Sequence, residues 1–311
     1  MTQMLRTTFL AAARSRRLRG VAERSALVRP LVDRFVAGTD LDQAMSAARE
    51  LAVDRMVSMD HLGEDTSDRA EADEATGSYL ELLGRLGEGG LAARVEVSIK
   101  LSALGAALPD GGAAMAADNA AKICAQAAAV GTTVTVDMED HTTTDATLET
   151  IRELRRSWPE TGTVLQAYLR RTETDCAELA GPGSRVRLCK GAYDEPSSVA
   201  FRERDEVDES YRRCLRVLMA GEGYPMVATH DPALIRYADE LAAARPGGTT
   251  GFEFQMLYGV RSEAQRALAV SGRRVRVYLP YGSAWYPYFM RRLGERPANM
   301  MFFFRSLASR H

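Results

Sequence analysis

Charged and polar side chains recur in this sequence at one kind of place, the ends of short apolar runs. Lys100, Asp137, Gln166, Arg187 with Lys190, His230, Gln255 and Tyr278 each stand at or near the last residue of such a run. Taken singly, each has a plain structural use as a helix cap, a snorkelling cation or a satisfied core group. Gathered on one rim, they would bind an anion, hold a cofactor and carry protons. A second set follows the last run, where Tyr288, Arg291, Arg292 and Glu295 stand at i, i+3, i+4 and i+7 and share one helical face. Two adjacent guanidinium groups suit a carboxylate, because the planar fork matches its two oxygens, and Lys100 would add a third cation. A salt-bridged surface helix would use the same residues with Glu295 as partner. However, Trp285, Tyr286, Pro287 and Tyr288 are an odd choice for a solvated face.

Two other chemistries compete for these positions. Asp60-His61, the run from Asp137 to His141, and His230-Asp231 could be metal ligands, yet neither an HxH pair nor an HExxH helix occurs. A metal site is therefore not expected. Lys100 or Lys190 could form a Schiff base, which requires a desolvated lysine with a depressed pKa. Asp137 and Glu139 nearby would instead favour the ammonium form.

The elements that must position these groups are eight β-type runs alternating with longer helical segments: Arg55 to Asp60, Arg94 to Leu101, Thr132 to Asp137, Thr163 to Leu169, Ser184 to Lys190, Pro225 to Thr229, Phe252 to Leu257 and Arg274 to Leu279. No Gly-rich turn follows the first run, so a doubly wound dinucleotide fold is disfavoured and a closed (β/α)8 TIM-type barrel is expected. Along the second run Val97, Ile99 and Leu101 alternate with Glu96, Ser98 and Lys100, and the polar parity recurs as Arg185 and Arg187, Glu253 and Gln255, Arg274, Arg276 and Tyr278. In a barrel the apolar parity packs under the helices. The polar parity must then point inward, where charges persist only if paired. Residues 1–50 carry apolar positions at helical spacing (Leu5, Phe9, Leu10; Leu27, Leu31, Phe35) and read as an N-terminal helical arm, with the barrel over 51–311.

Composition excludes several classes. With 40 basic and 42 acidic residues in 311, no net positive field exists to attract a nucleic acid. The four cysteines have no CxxC or zinc spacing, and the longest apolar-leaning stretch, Ala113 to Val130, is broken by Asp118, Asn119 and Lys122. A reducing cytoplasmic setting is expected, with any membrane contact peripheral.

Seven motifs now stand in order: Val97-Ser98-Ile99-Lys100-Leu101-Ser102, Thr135-Val136-Asp137-Met138-Glu139, Leu165-Gln166-Ala167-Tyr168, Arg187 through Tyr193, Ala228-Thr229-His230-Asp231, Phe252 through Gly259, and Tyr278 through Glu295. Together they resemble the proline dehydrogenase family in its short bacterial form. The resemblance implies an FAD-dependent oxidation of L-proline to 1-pyrroline-5-carboxylate, by hydride transfer to flavin N5, with electrons passed to a membrane quinone. It also implies that a separate pyrroline-5-carboxylate dehydrogenase consumes the product. It assigns Lys100, Arg291 and Arg292 to the substrate carboxylate, Tyr193 and Tyr278 to the ring, and Asp137 to positioning Lys100. Met138, Gln166, Arg187, Lys190, Gly191, Ala192, Thr229 and His230 would line the FAD, with Arg187 near N5. Glu64 would pair with Arg291 as a gate over bound substrate. Flavin is implied by the resemblance alone. A noncatalytic flavin-binding relative would lose one of the three carboxylate cations, whereas all three are present, and oxidation of another cyclic amino acid is the nearest alternative activity.

Overall fold

A computed structural model of the chain describes residues 28–294, apart from 65 and 246. Leu5, Phe9, Leu10 and Leu27 of the expected arm and Glu295 of the arginine helix fall outside those residues. Eight parallel strands pair in sequence order and close into a barrel. They are β1 (Met56–His61), β2 (Val95–Ile99), β3 (Val134–Val136), β4 (Gly162–Gln166), β5 (Arg185–Cys189), β6 (Tyr224–Ala228), β7 (Glu253–Leu257) and β8 (Val275–Tyr281). The seam is β8 on β1, in register from Met56 opposite Arg276 to His61 opposite Tyr281. The helices are α1 (Arg29–Asp33), α2 (Leu41–Leu51), α3 (Arg69–Glu88), α4 (Gly112–Val130), α5 (Thr144–Ser157), α6 (Thr172–Leu179), α7 (Arg204–Ala220), α8 (Pro232–Ala242), α9 (Ser262–Val270) and α10 (Trp285–Gly294).

Each expected run forms a strand, with its ends moved. The largest change is in β4, which stops at Gln166 rather than Leu169. There Ala167 and Tyr168 turn across to the Cys189 and Lys190 carbonyls, and Leu169 bridges antiparallel to Ala200. The two parities separate as alternation requires. Val57, Met59, Val95, Val97, Ile99, Val134, Val136, Val277 and Leu279 pack outward in one cluster with Tyr79, Leu82, Leu83 and Leu86 of α3 and Ala120, Ile123 and Ala127 of α4. A second cluster joins Leu165, Val186, Leu188, Val227 and Phe254 to Tyr211, Leu215 and Leu218 of α7.

The interior is charged. Glu96 on β2 accepts from Arg185 Nη2 at 2.5 Å, with Arg187 and Arg276 each 3.6 Å away. Glu253 takes Arg276 through two bonds of 2.6 and 3.1 Å. Burial alone would push the Glu96 carboxyl up, but Arg276, Arg185 and Arg187 outweigh it and hold the group well below the usual carboxylate range. Because the anion is favoured only in the folded state, its contribution is present at neutral pH and disappears as pH falls through that depressed value.

The arm divides in a way the sequence reading does not anticipate. Ala44, Met45, Ala48 and Leu51 of α2 are buried in the same cluster as the β1 and β8 side chains, so α2 covers the seam. The helix after β8 does not. Instead α10 packs with Val32, Phe35, Val36 and Leu62 in a separate cluster and turns its polar face to the barrel mouth. The expected boundary at residue 50 therefore cuts through a helix that belongs to the barrel wall.

Glu96→Gln removes the anion that three buried guanidinium groups share, and breaking such a network by deleting one partner costs about 3–5 kcal/mol. Urea unfolding of the variant is expected to show a loss of that order; a change below about 1 kcal/mol would mean the arginines are satisfied without Glu96.

Candidate active site

The C-terminal ends of the strands open into a cavity of about 610 Å³. Its lining draws on every part of the rim: Asp60, Lys100, Asp137, Met138, Gln166, Arg187, Lys190, Gly191, Ala192, Tyr193, Thr229, His230, Gln255, Tyr278, Arg291 and Arg292 are all present. The residues to which the resemblance gives substrate or cofactor roles thus converge on one place, with Glu64 set outside the lining. That residue stands behind Arg291, accepting two bonds from it at 2.6 and 2.9 Å.

Asp137 is held from both sides. Its Oδ1 accepts from Arg187 Nη1 at 2.5 Å and from Ser98 Oγ at 3.0 Å, while Oδ2 lies 2.8 Å from the Tyr278 hydroxyl. Its distance to Lys100 Nζ is 3.8 Å. The closer partner of Lys100 is Asp60, both of whose oxygens lie 2.8 Å from Nζ. Asp60, which the sequence reading considered only as a metal ligand, thus stands nearer to Lys100 than does Asp137, to which the resemblance gave the positioning role. Burial pulls the Lys100 pKa down, yet the Asp60 and Asp137 carboxylates reverse this and hold it above the ordinary lysine value. Such an ammonium is a fixed cation, unsuited to Schiff-base chemistry.

Arg187 is locked on every nitrogen. Nε donates to Gln255 Oε1 at 2.5 Å, Nη1 to Asp137 and Ser98, and Nη2 to Ser58 at 3.2 Å. Its guanidinium also lies 5.2 Å from the centre of the Tyr278 ring. Burial would lower its pKa, but Asp137 and Glu96 raise it. On the other side Lys190 pairs with Asp208 and, at 3.4 Å, with Asp231, while His230 Nε2 accepts from the Leu257 amide at 2.9 Å. That bond places the proton of a neutral ring on Nδ1. Gly191 has φ of 109°, and a Cβ there would overlap the Tyr168 ring, so only glycine fits.

On α10, Arg291 is raised above its usual value because Glu64 outweighs its burial, and the Arg292 guanidinium sits 5.4 Å from the Tyr288 ring centre. Burial raises the Glu64 carboxyl, but Arg291 outweighs it and the net direction is down. His61 and His141 serve structure: His61 packs on Tyr281, and His141 bonds Glu195 through both its amide and its ring.

A family model described as proline dehydrogenase matches residues 43–305. The chain belongs to the proline dehydrogenase family. It is 40% identical over 275 residues to proline dehydrogenase of Deinococcus radiodurans, covering 88% of each chain. It is 37% identical over 278 residues to proline dehydrogenase 2 of Bacillus subtilis, covering 89% of this chain and 90% of the other. Among solved structures it resembles proline utilization A (PutA) from Bdellovibrio bacteriovorus inactivated by N-propargylglycine, with a TM-score of 0.77 and 26% identity over 86% of this chain. It spans only 32% of that longer protein. Membership makes this chain a proline dehydrogenase, an oxidoreductase acting on the CH–NH group of proline, in a family that is in general flavin-dependent.

Because Glu64 and Arg291 are 20% and 14% exposed, their pair should be worth more than a surface contact. Glu64→Ala is expected to lower kcat/KM for proline by about 10- to 100-fold. Stopped-flow reduction at the parent rate and affinity would show that the pair does not fix Arg291. In the parent the pair persists down to pH values below the ordinary carboxylate range, since the Glu64 pKa is depressed.

Proposed function

We propose that this proline dehydrogenase is FAD-dependent and oxidises L-proline to 1-pyrroline-5-carboxylate, with electrons passed to a quinone and product taken up by a separate dehydrogenase. One observation carries the reading: three cations suited to a carboxylate and a row of residues suited to a flavin line the same cavity. A volume of about 610 Å³ is in the range of cofactor sites. Gln166 Oε1 is buried there without a hydrogen-bond partner among the described residues, a feature that a donor on a bound group would resolve.

Met138, Gln166, Arg187, Lys190, Gly191, Ala192, Thr229 and His230 would hold the FAD. When bound, it supplies the two-electron acceptor, N5 taking the hydride that leaves the ring carbon next to nitrogen. The chain's own part is orientation and field. Lys100, Arg291 and Arg292 bind the carboxylate, and Tyr193 and Tyr278 confine the ring. The same cations disfavour an ammonium beside them, so the substrate nitrogen is held as the free amine whose lone pair drives hydride loss. Arg187 enters this field already fixed by four side chains, so no reorganisation is needed as charge develops. Glu64, by anchoring Arg291, holds α10 over the mouth and limits access of water. No helix among the described residues is long and apolar enough to cross a membrane. Quinone reduction would take place at a peripheral contact on the cytoplasmic side.

Purified protein is expected to be yellow, with a flavin spectrum that bleaches anaerobically on addition of L-proline. Colourless protein that neither binds FAD nor reduces a dye would remove the cofactor assignment; colour without bleaching would remove the substrate.

Lys100→Met and Arg292→Met each delete a charged, partly desolvated bond, worth about 2–5 kcal/mol in transition-state binding. A fall in kcat/KM of about two to three orders of magnitude is expected, with flavin retained. Near-normal kinetics in either variant would refute the carboxylate clamp.

A further inference from the structure

Three oxygen atoms at the top of the barrel meet in a way that ordinary charge states cannot satisfy. Tyr278 Oη lies 2.7 Å from Asp60 Oδ2 and 2.8 Å from Asp137 Oδ2. A phenol has one hydrogen, and a bond this short needs it close to the line between the two oxygens. Donated to one carboxylate, it leaves the other facing the phenol's lone pairs at hydrogen-bond distance. The atoms hang from β1, β8 and the end of β3, which are wall strands, so a loop movement cannot relieve the contact. A second hydrogen does. With an acid on one side, the chain reads Asp60 Oδ2–H to Tyr278 Oη, then Tyr278 O–H to Asp137 Oδ2, and every short contact has its proton.

The neighbours decide which carboxyl carries it. Asp137 Oδ1 already accepts from Arg187 and Ser98, both strong reasons to stay ionised. Asp60 is 1% exposed; among the described residues its one charged donor is Lys100, 2.8 Å from each oxygen, with the Tyr79 hydroxyl a neutral donor at 3.3 Å. Burial pushes Asp60 up, Lys100 opposes this and Asp137 adds to it, with a net direction upward.

We propose that Asp60 is a carboxylic acid in the resting enzyme, donating through Tyr278 to ionised Asp137, and that this extra proton leaves Lys100 balanced by Asp137 at 3.8 Å alone rather than by two adjoining carboxylates, so that the rim keeps a net positive charge for the substrate's carboxylate. The inference rests on the carboxylate role given to Lys100 above. With Asp60 ionised, Lys100 would be neutralised where it stands. With Asp60 protonated, the rim carries one more positive charge, which favours both the incoming carboxylate and the free amine of the substrate. Asp60 is thus a positioning residue, acting through Lys100.

The groups that face Asp60 come from each adjoining element. They are Lys100 on the β2 end, Asp137 on the β3 end, Tyr278 on β8, Tyr79 on α3 with its hydroxyl 3.3 Å away, and His61 next in the chain, with Glu139 facing Lys100 from behind. Glu64 and Arg291 stand beyond Lys100. Tyr79 and Tyr278 are raised by burial, Arg291 is raised by Glu64 and Glu64 is lowered by Arg291 against its burial, so these titrate away from neutrality, while Lys100 keeps the Asp137 and Glu64 carboxylates beside it when Asp60 is protonated. Burial lowers His61. Glu139 is raised by burial and accepts from Ser102, so it needs its own control. The sign follows: below the raised Asp60 value the rim is cationic and binds a carboxylate well, and above it the affinity falls.

The probe is cyclopentanecarboxylate, which has a five-membered ring and a carboxylate but no titrating amine. Calorimetric titration of the FAD-loaded enzyme from about pH 5.5 to about pH 9.5 is expected to give a flat Kd at the acid end, rising toward tenfold per pH unit above the Asp60 transition. Asp60→Asn keeps a neutral group whose amide donates to Tyr278, and its Kd is expected to lose this dependence, whereas Glu139→Gln should keep it. Infrared spectra of the parent, recorded without ligand, should contain a carboxylic-acid C=O stretch that shifts in D2O and titrates with the same midpoint as Kd. A pH-independent Kd in the parent, or no acid band titrating with it, overturns the proposal. Failure of cyclopentanecarboxylate to bind at any pH would instead overturn the carboxylate clamp, and the infrared band, which needs neither ligand nor variant, would still decide the proton.

Discussion

Arg185, Arg187, Arg276 and Lys100 share the inside of the barrel with Asp60, Glu96, Asp137 and Glu253, at a depth where none is more than 9% exposed. Each charge is tolerable only because an opposite one is within reach, and removing any member strands another. The consequence runs upward through the molecule. Arg187 is fixed below by Gln255, itself bonded to Glu253, and above by Asp137, whose second oxygen reaches the Tyr278 hydroxyl. The substrate end of the cavity is therefore the top layer of the same network that fills the barrel. Apolar packing contributes from outside, in the shell between strands and helices.

A second network steadies the β5 loop that carries Lys190 to Tyr193. Glu195, 4% exposed, accepts from the His141 amide at 2.9 Å and from the Tyr168 hydroxyl at 3.3 Å, and its own carbonyl takes Arg202. Tyr168 also forms the surface against which Gly191 lies. The loop is thus pinned to the ends of β3 and β4, and its shape follows from side chains outside the motifs that define it.

Much of this is legible in the sequence because alternation along a strand is a two-state signal. Glu96, Ser98 and Lys100, or Arg185 and Arg187, can point only inward once Val97, Ile99 and Val186 are packed outward, and the rim follows from where each run ends. The same rule applied to Ser58 and Asp60, which alternate with Val57 and Met59, places Asp60 inside; reading Asp60-His61 as a possible ligand pair obscured it. Which carboxylate reaches Lys100 depends on relative positions of β1, β2 and β3, and parity carries no such distance. The role of α2 was hidden for a different reason. An amphipathic helix has one apolar face whether it docks on a barrel or lies in an arm, and nothing in residues 41–51 says which partner covers it.

That partner is made long after it. Leu51 and Tyr281 are 230 positions apart, so the ribosome delivers β8 roughly 10–50 s after α2 at ordinary elongation rates. During that interval Ala44, Met45, Ala48 and Leu51 have no strand seam to cover. The wall of this barrel cannot be completed outward from β1, because α2 waits for β8, the last of the eight strands. Until β8 has been made, the apolar face of α2 is surface of the kind that chaperones hold.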